Sequence, residues 1–262
     1  MYLNFENKTV LIMGVANKRS IGWGIAKELD KAGAKLIFSY SKERSAKGLL
    51  KLALELSDLN KEPDMVKCDV TSDEDIATAV ADLKVKAGQL SGIVHSVAFA
   101  NKDFLGDAYS AVDRASFAQA LDISAYSFTA IIRAAHQAEL LADNASLITL
   151  TYLGGERVIQ NYNLMGVAKA ALESSVRYLA NEYGPTGIRV NAISAGPIRT
   201  LSARGVGNFS ESQKMVEERA PLRRVTTSEE VGTTALFLLS DMASGITGEN
   251  IHVDSGYHII GY

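Results

Sequence analysis

The sequence predicts an α/β fold, a single doubly wound parallel sheet of about seven strands with helices on both faces. Three observations predict it. Strand-like apolar runs alternate with helix-like stretches along the whole chain. Most of these runs are continuously apolar, as strands buried on both faces of a parallel sheet are. A glycine-rich turn joins the first run to the first helical stretch.

In chain order, the apolar runs place strands at 9–14, 35–40, 65–68, 92–98, 146–151, 189–193 and 251–253. Helical stretches lie between them at 22–32, 73–86, 124–139, 163–183 and 228–239. Two open with readable caps. Thr71-Ser72-Asp73-Glu74 and Ser228-Glu229-Glu230 set small hydroxyls and then acids at the positive end of the helix dipole. Gly33 and Gly184 are expected to close helices. No linker, repeat or low-complexity tract interrupts the alternation, so residues 1–262 read as one domain.

A chain of 262 residues buries enough surface to need no disulfide or metal staple. Its 47% apolar and 22% charged content is that of a soluble globular protein. The net charge of −3 argues against nucleic acid or an anionic membrane surface as partner. One cysteine, Cys68, excludes an intrachain disulfide and points to a reducing, cytoplasmic setting. His95, His136, His252 and His258 show no ligand spacing, so no metal is expected. No signal peptide pattern precedes the first strand, and no apolar run is long enough to span a bilayer.

The first strand ends at Gly14, and Ser20-Ile21-Gly22-Trp23-Gly24 then opens a helix. Gly14 permits a tight turn, Gly22 and Gly24 permit close backbone approach, and the helix N-terminus offers N–H groups to a pyrophosphate. This is a Rossmann-type arrangement for a dinucleotide, although the spacing is not the simple G-x-G-x-x-G. An NAD-type site usually ends its second strand in an acid that holds the adenosine ribose. Here Ser39-Tyr40-Ser41-Lys42-Glu43-Arg44 follows, with no acid at the strand end and two cations nearby. Lys42 and Arg44 either tolerate a 2′-phosphate or are solvated residues at the start of a helix. Asp69, after the third strand, either accepts from the adenine amino group or caps the next turn.

Tyr152 follows the strand at 146–151, and Tyr162 and Lys169 come next, seven residues apart. Seven residues is nearly two helical turns, which sets Tyr162 and Lys169 on one side about 10 Å apart along the axis. A lysine cation near a phenol favours its ionised form and strengthens it as a donor to developing negative charge.

These motifs resemble a known family. Gly14-x5-Ser20-Ile21-Gly22-x-Gly24, Tyr152…Tyr162-x6-Lys169 and the run from Asn191 through Ser194-Ala195-Gly196-Pro197 to Thr200 are similar to bacterial enoyl-acyl-carrier-protein reductases of the FabI type. These are a divergent branch of the short-chain dehydrogenase/reductases. The likeness runs from Val10 to about His258. Ordinary short-chain reductases place tyrosine and lysine four apart, with a serine where Tyr152 stands here. The Asn-Asn-Ala-Gly usual after their fourth strand is replaced by His95-Ser96-Val97-Ala98-Phe99-Ala100.

The resemblance implies reduction of trans-2-enoyl thioesters, carried on acyl carrier protein, by NADH or NADPH in a homotetramer. It implies that hydride from the nicotinamide reaches the β-carbon and that an enolate forms on the thioester oxygen. Tyr162 would donate to that oxygen, Lys169 would hold the nicotinamide ribose, and Tyr152 would line the substrate pocket. Ser20, Ile21, Ser41, Lys42, Asp69, Val70, Ser96, Val97, Ile198, Thr200, Leu201 and Ser202 are implied cofactor contacts, beside Gly14. Ala100 is an implied substrate contact, and Met165, Val206 and Phe209 an acyl pocket. Ser41 stands where relatives carry a residue that helps choose between NADH and NADPH. Val253-Asp254-Ser255-Gly256 stands where relatives often have two glycines.

Gly205 and Gly207 make the stretch around 198–212 hinge-capable, and Val206 and Phe209 give it an apolar face. It reads as a substrate-covering lid or as a surface helix with a glycine-rich exit. Two other functions compete: a 3-oxoacyl thioester or other carbonyl reductase of the same superfamily, and a non-catalytic nucleotide-binding regulator. The seven-residue gap and Tyr152 argue against the first, and the intact Tyr152, Tyr162 and Lys169 set against the second.

Overall fold

The computed structural model describes residues 3–106, 108–200 and 209–261. Seven parallel strands form one sheet among these residues: β1 (Thr9–Met13), β2 (Lys35–Tyr40), β3 (Asp64–Lys67), β4 (Leu90–His95), β5 (Leu141–Thr151), β6 (Arg189–Ala195) and β7 (Asn250–Val253). Their order is β3-β2-β1-β4-β5-β6-β7, and every pair is parallel. The described helices are α1 (Ile21–Lys31), α2 (Glu43–Ala53), α3 (Asp73–Ala87), α4 (Arg114–Leu121), α5 (Ser127–Gln137), α6 (Asn163–Tyr183), α7 (Phe209–Arg219) and α8 (Ser228–Leu239). The expected doubly wound fold is the one found.

Successive side chains of a strand point to opposite faces, and β1 shows why its run is continuously apolar. Leu11 and Met13 join a core with Ile37 and Ile93 under α3, α5 and α6. Val10 and Ile12 join a second core with Leu36 and Phe38 under α1, α2 and α8. The strand order reverses direction between β1 and β4, which opens a crevice at their carboxyl ends.

Boundaries differ from the sequence reading where polar residues enter the sheet. β5 begins at Leu141, ahead of the expected 146, and carries the exposed Asp143 and Asn144. β4 stops at His95 rather than 98, because the following residues turn into the crevice. The stretch at 124–139 is two elements: a π-turn over Asp122–Tyr126 and then α5. α2, α4 and α7 are helices the apolar pattern did not mark.

The caps are shifted as well. Ser72 accepts from Asp75 N at 3.1 Å, as expected of a cap. At α8 the cap is Thr227 rather than Ser228, in a reciprocal capping box with Glu230. Gly33 follows α1 and closes it. Gly184 does not close α6 in the left-handed manner; its φ is −54°, and the reversal falls on Gly187 at φ +82°.

Gly24 is required by packing between helices, not by packing against the sheet. A Cβ there would stand 2.5 Å from Ser228 O, and one on Gly232 would stand 2.8 Å from Gly24 O. α1 and α8 therefore touch backbone to backbone. Gly24→Ala should force them apart and lower stability by about 1–3 kcal/mol, seen as a lower denaturant midpoint with an unchanged slope.

Candidate active site

The carboxyl ends of β1, β4, β5 and β6 feed one cleft of about 400 Å³. Twelve residues expected at the site line it: Gly14, Ser20, Ile21, Ser96, Val97, Ala100, Tyr152, Tyr162, Met165, Lys169, Ile198 and Thr200. Ser41, Lys42, Asp69 and Val70 are not among its walls; they follow β2 and β3, farther along the sheet edge. Leu201, Ser202 and Val206 lie outside the described residues, as does the side chain of Phe209, and with them the middle of the expected lid. Leu105 and Ile159 also line the cleft, and the sequence reading missed them; Pro197 and Ser212 line it too. No motif marks Leu105 or Ile159. Pro197 precedes the expected lid, and Ser212 is its last residue.

At the nucleotide end, Gly14 sits at φ +83°, and a Cβ there would stand 2.0 Å from Ser96 O. Gly14 thus serves both the turn and the contact between two strand-end loops. Ser20 Oγ accepts from Ala16 N at 3.0 Å and Asn17 N at 3.1 Å, which fixes the loop. The same hydroxyl makes no cap to α1, and the first turn of α1 carries no acid. The N-terminus of α1 therefore presents orphan N–H groups and a partial positive charge beside the cleft-lining Ser20 and Ile21. That chemistry fits the pyrophosphate of a dinucleotide. Asp69 caps the turn that follows β3: its Oδ1 accepts from Thr71 N at 3.0 Å and Thr71 Oγ1 at 2.7 Å. Those bonds hold its carboxyl below the usual range.

At the other end, Tyr162 is not in the helix but is its N-cap, at φ −119°. Its ring lies on Gly154, where a Cβ would stand 2.3 Å from Tyr162 Cδ1. Tyr152 and Tyr162 meet edge to face, with centroids 4.9 Å apart at 74°. Lys169 is buried and donates from Nζ to Leu150 O at 2.7 Å. Glu173, one turn on, is also buried, and its Oε1 accepts from Thr151 Oγ1 at 2.6 Å.

Burial dominates the electrostatics. It lowers Lys169 to about 8, with Glu173 acting the other way. It raises Tyr162, helped by Tyr152 and Glu173. It pushes Tyr152 up to about 12, helped by Tyr257 and Asp254. The expectation that Lys169 draws Tyr162 toward its ionised form is thus overturned: desolvation wins, and the phenol keeps its proton.

His95, which the sequence reading left without a role, is buried where β4 ends. Its Nε2 lies 2.9 Å from Ser127 Oγ, and that hydroxyl donates to Ile123 O at 2.7 Å. The hydroxyl proton is thereby committed, so Nε2 carries hydrogen and donates. Among the described residues no three His, Cys, Asp or Glu side chains come together as a metal site. No described helix is long and apolar enough to cross a membrane.

The family model for Enoyl-(Acyl carrier protein) reductase matches residues 14–258. The chain belongs to that family. It is 55% identical over 256 residues to the NADH enoyl-acyl-carrier-protein reductase FabI of Bacillus cereus, covering 98% of each chain. It is also 55% identical over 259 residues to the NADPH enzyme of Staphylococcus aureus, covering 98% of this chain and 99% of that one. Among solved structures, the B. cereus reductase with NADP+ and indole naphthyridinone superposes with a TM-score of 0.96 at 55% identity over 100% of both chains. The NADH enoyl-acyl-carrier-protein reductase of Aquifex aeolicus superposes with a TM-score of 0.93 at 43% identity, over 98% of this chain and 99% of that one. The resemblance read from the motifs is borne out, and with it the fold and the reaction class.

Burial lowers His95 to about 3, and the charge of Lys169 adds to the effect. A histidine held neutral in the fold takes up a proton only on unfolding. Its contribution to stability is therefore present above the unfolded value of about 6.5 and is lost as pH falls below it. The His95 ring resonances should stay flat between pH 5 and 9 in the folded protein; an imidazolium forming near pH 6 would refute the buried, neutral assignment.

Proposed function

We propose that this chain reduces the carbon–carbon double bond of trans-2-enoyl thioesters, delivered on acyl carrier protein, with NADH or NADPH as the reductant in fatty acid elongation. The observation that carries the reading is one cleft holding Tyr152, Tyr162 and Lys169 beside the uncapped N-terminus of α1. Family membership over residues 14–258 sets the reaction class.

The residues divide the work. Gly14, Ser20 and Ile21 hold the dinucleotide at the end of α1, with Ser96 and Val97 packed beside Gly14 and Ile198 and Thr200 lining the same cleft. Ser41, Lys42, Asp69 and Val70 take the adenosine end. Bound reduced nicotinamide supplies hydride to the β-carbon. As that carbon saturates, negative charge develops on the thioester oxygen, and the product forms when the α-carbon takes a proton from solvent. Tyr162, protonated and half-buried in the cleft wall, donates a hydrogen bond to that oxygen. Lys169 lines the same cleft, already ordered by Leu150 O, to bind the ribose hydroxyls and add positive charge. Tyr152 packs edge-on against Tyr162 and fixes its ring. Ala100 and Met165 line the acyl side, joined in this reading by Val206 and Phe209. Leu201 and Ser202 complete the cofactor contacts in a lid around 198–212, whose flanks Ile198, Thr200 and Ser212 line the cleft.

A homotetramer completes the reading. Exposed aromatic and apolar side chains support it: Tyr126 beside α5, Tyr178 on α6 and Ile259 in the tail. Relatives named for NADH and for NADPH are equally similar, so the choice of phosphate belongs to Ser41, Lys42 and Arg44 rather than to the fold. A single cysteine, buried and free, suits a cytoplasmic setting.

The test is loss of reduced-nicotinamide absorbance on mixing with crotonyl thioester and either cofactor. Oxidation with acetoacetyl thioester instead would establish a ketone reductase. Binding of dinucleotide without any turnover would establish a regulator. Tyr162→Phe should bind dinucleotide as before and lose turnover by about 100-fold or more; wild-type turnover would end the role given to it. In the active enzyme kcat/KM should fall as pH rises through about 8, because Lys169 then gives up its charge.

A further inference from the structure

Lys169 and Glu173 are four residues apart on α6 and so lie one above the other on the same helix face. Both are buried. Each reaches the end of β5, Lys169 at Leu150 O and Glu173 at Thr151 Oγ1, with bonds of 2.7 Å and 2.6 Å. The next residue is Tyr152. Two successive turns of α6 therefore grip the two residues that aim Tyr152 into the cleft.

The turn beyond Tyr152 is shaped around the same carboxylate. A Cβ on Gly155 would stand 2.4 Å from Glu173 Oε1 and 2.9 Å from its Cδ. Gly155 is bare because Glu173 fills the space a side chain would take. A buried carboxylate that makes a 2.6 Å hydrogen bond and excludes a neighbouring side chain is not a solvated face of the helix.

We infer that Glu173 is a positioning residue for the reductase: through Thr151 it fixes the end of β5 that carries Tyr152, and it supplies the counter-charge for Lys169. The inference rests on the role proposed above for Lys169. The charges around the pair come from three elements. Glu173 feels Glu156 from the turn after β5, and Lys169 and Arg177 from its own helix. Lys169 feels Glu173, while His95, at the end of β4, stays neutral. Burial is the largest influence on both partners and works against charge on each; Glu173 offsets part of it at Lys169, and at Glu173 the Thr151 hydrogen bond offsets more than Lys169 does. Glu173 also raises Tyr162, so one carboxylate favours the charged lysine and the protonated phenol together.

The holoenzyme, assayed with crotonyl thioester across pH, tests this. Glu173→Gln keeps the size and an acceptor for Thr151 but removes the charge. It should move the alkaline limb of kcat/KM to lower pH by about one unit, a tenfold change in the protonation of Lys169. Thr151→Val removes the bond and keeps the charge; it should lower kcat severalfold and leave that limb in place. An alkaline limb at its wild-type position in Glu173→Gln, or one moved equally in Thr151→Val, overturns the inference. Should Glu173→Gln not fold, Glu173→Asp withdraws the carboxylate by one methylene. It should lower kcat and shift the limb in the same direction by less; no change in either is equally fatal. Titration of Lys169 Nζ by NMR, with dinucleotide bound, reads the charge effect without turnover. Wild-type protein inert toward crotonyl thioester would remove the enoyl reading, while the lysine titration would still decide the role of Glu173.

Discussion

The site depends on how closely α6 approaches the turn Leu153–Gly155 that follows β5. A Cβ on Gly166 would stand 2.6 Å from Gly154 O, so helix and turn touch through bare backbone. Only at that distance can the Tyr162 ring rest on Gly154 and meet Tyr152 edge-on. The same approach lets Lys169 and Glu173 reach the strand end rather than solvent. A packed interior transmits a shift of a few tenths of an ångström instead of absorbing it. Three glycines, at 154, 155 and 166, are thus as much part of the site as the side chains they admit.

Bringing an ammonium and a carboxylate into this packed region costs free energy, and ordinary cores avoid it. Here the cost is partly offset by a carbonyl for the ammonium and a hydroxyl for the carboxylate. What it yields is a separation of protonation states by environment. Burial pulls Lys169 down and pushes both tyrosines up. Burial sets every one of those directions, and Glu173 adjusts two of them. The result is a cation and a hydrogen-bond donor in one cleft, the combination that the oxyanion of the proposed reaction would need.

Much of this was legible in the sequence, and the exceptions have physical reasons. α6 and α8 were read to the residue because long apolar periodicity outweighs local noise. α2 was not: Gly48 interrupts it, and it offers only Ala46, Leu49 and Ala53 to the core. α4 has eight residues, too few for a period to declare itself, and α7 is mostly polar. At the site, motif residues were found because spacing is visible in one dimension. Leu105 and Ile159 were missed because loops bring them in without any repeat. Glu173 did carry a signal, an acid four residues after a lysine on a helix, but a sequence cannot tell a buried acid from a solvated one. The sign of the Tyr162 shift was misread for the same reason: charge is written in the sequence, and desolvation is not.

The seven-residue gap between Tyr162 and Lys169 shows how the two kinds of information combine. Read as helix, it is nearly two turns, with both side chains on one face. In the fold the first residue is the N-cap, with a backbone that leaves the helical path. Tyr162 therefore departs from the helix face and drops onto Gly154, toward Tyr152. Lys169, firmly inside the helix, stays pinned to β5. A tyrosine placed four before the lysine would instead stand on the helix itself, one turn above it. The longer spacing moves the phenol out over the loop that follows β5 and leaves room for a second aromatic ring against it. The gap and Tyr152 are consequently one feature: the displaced phenol needs a wall, and the residue that follows the strand supplies it.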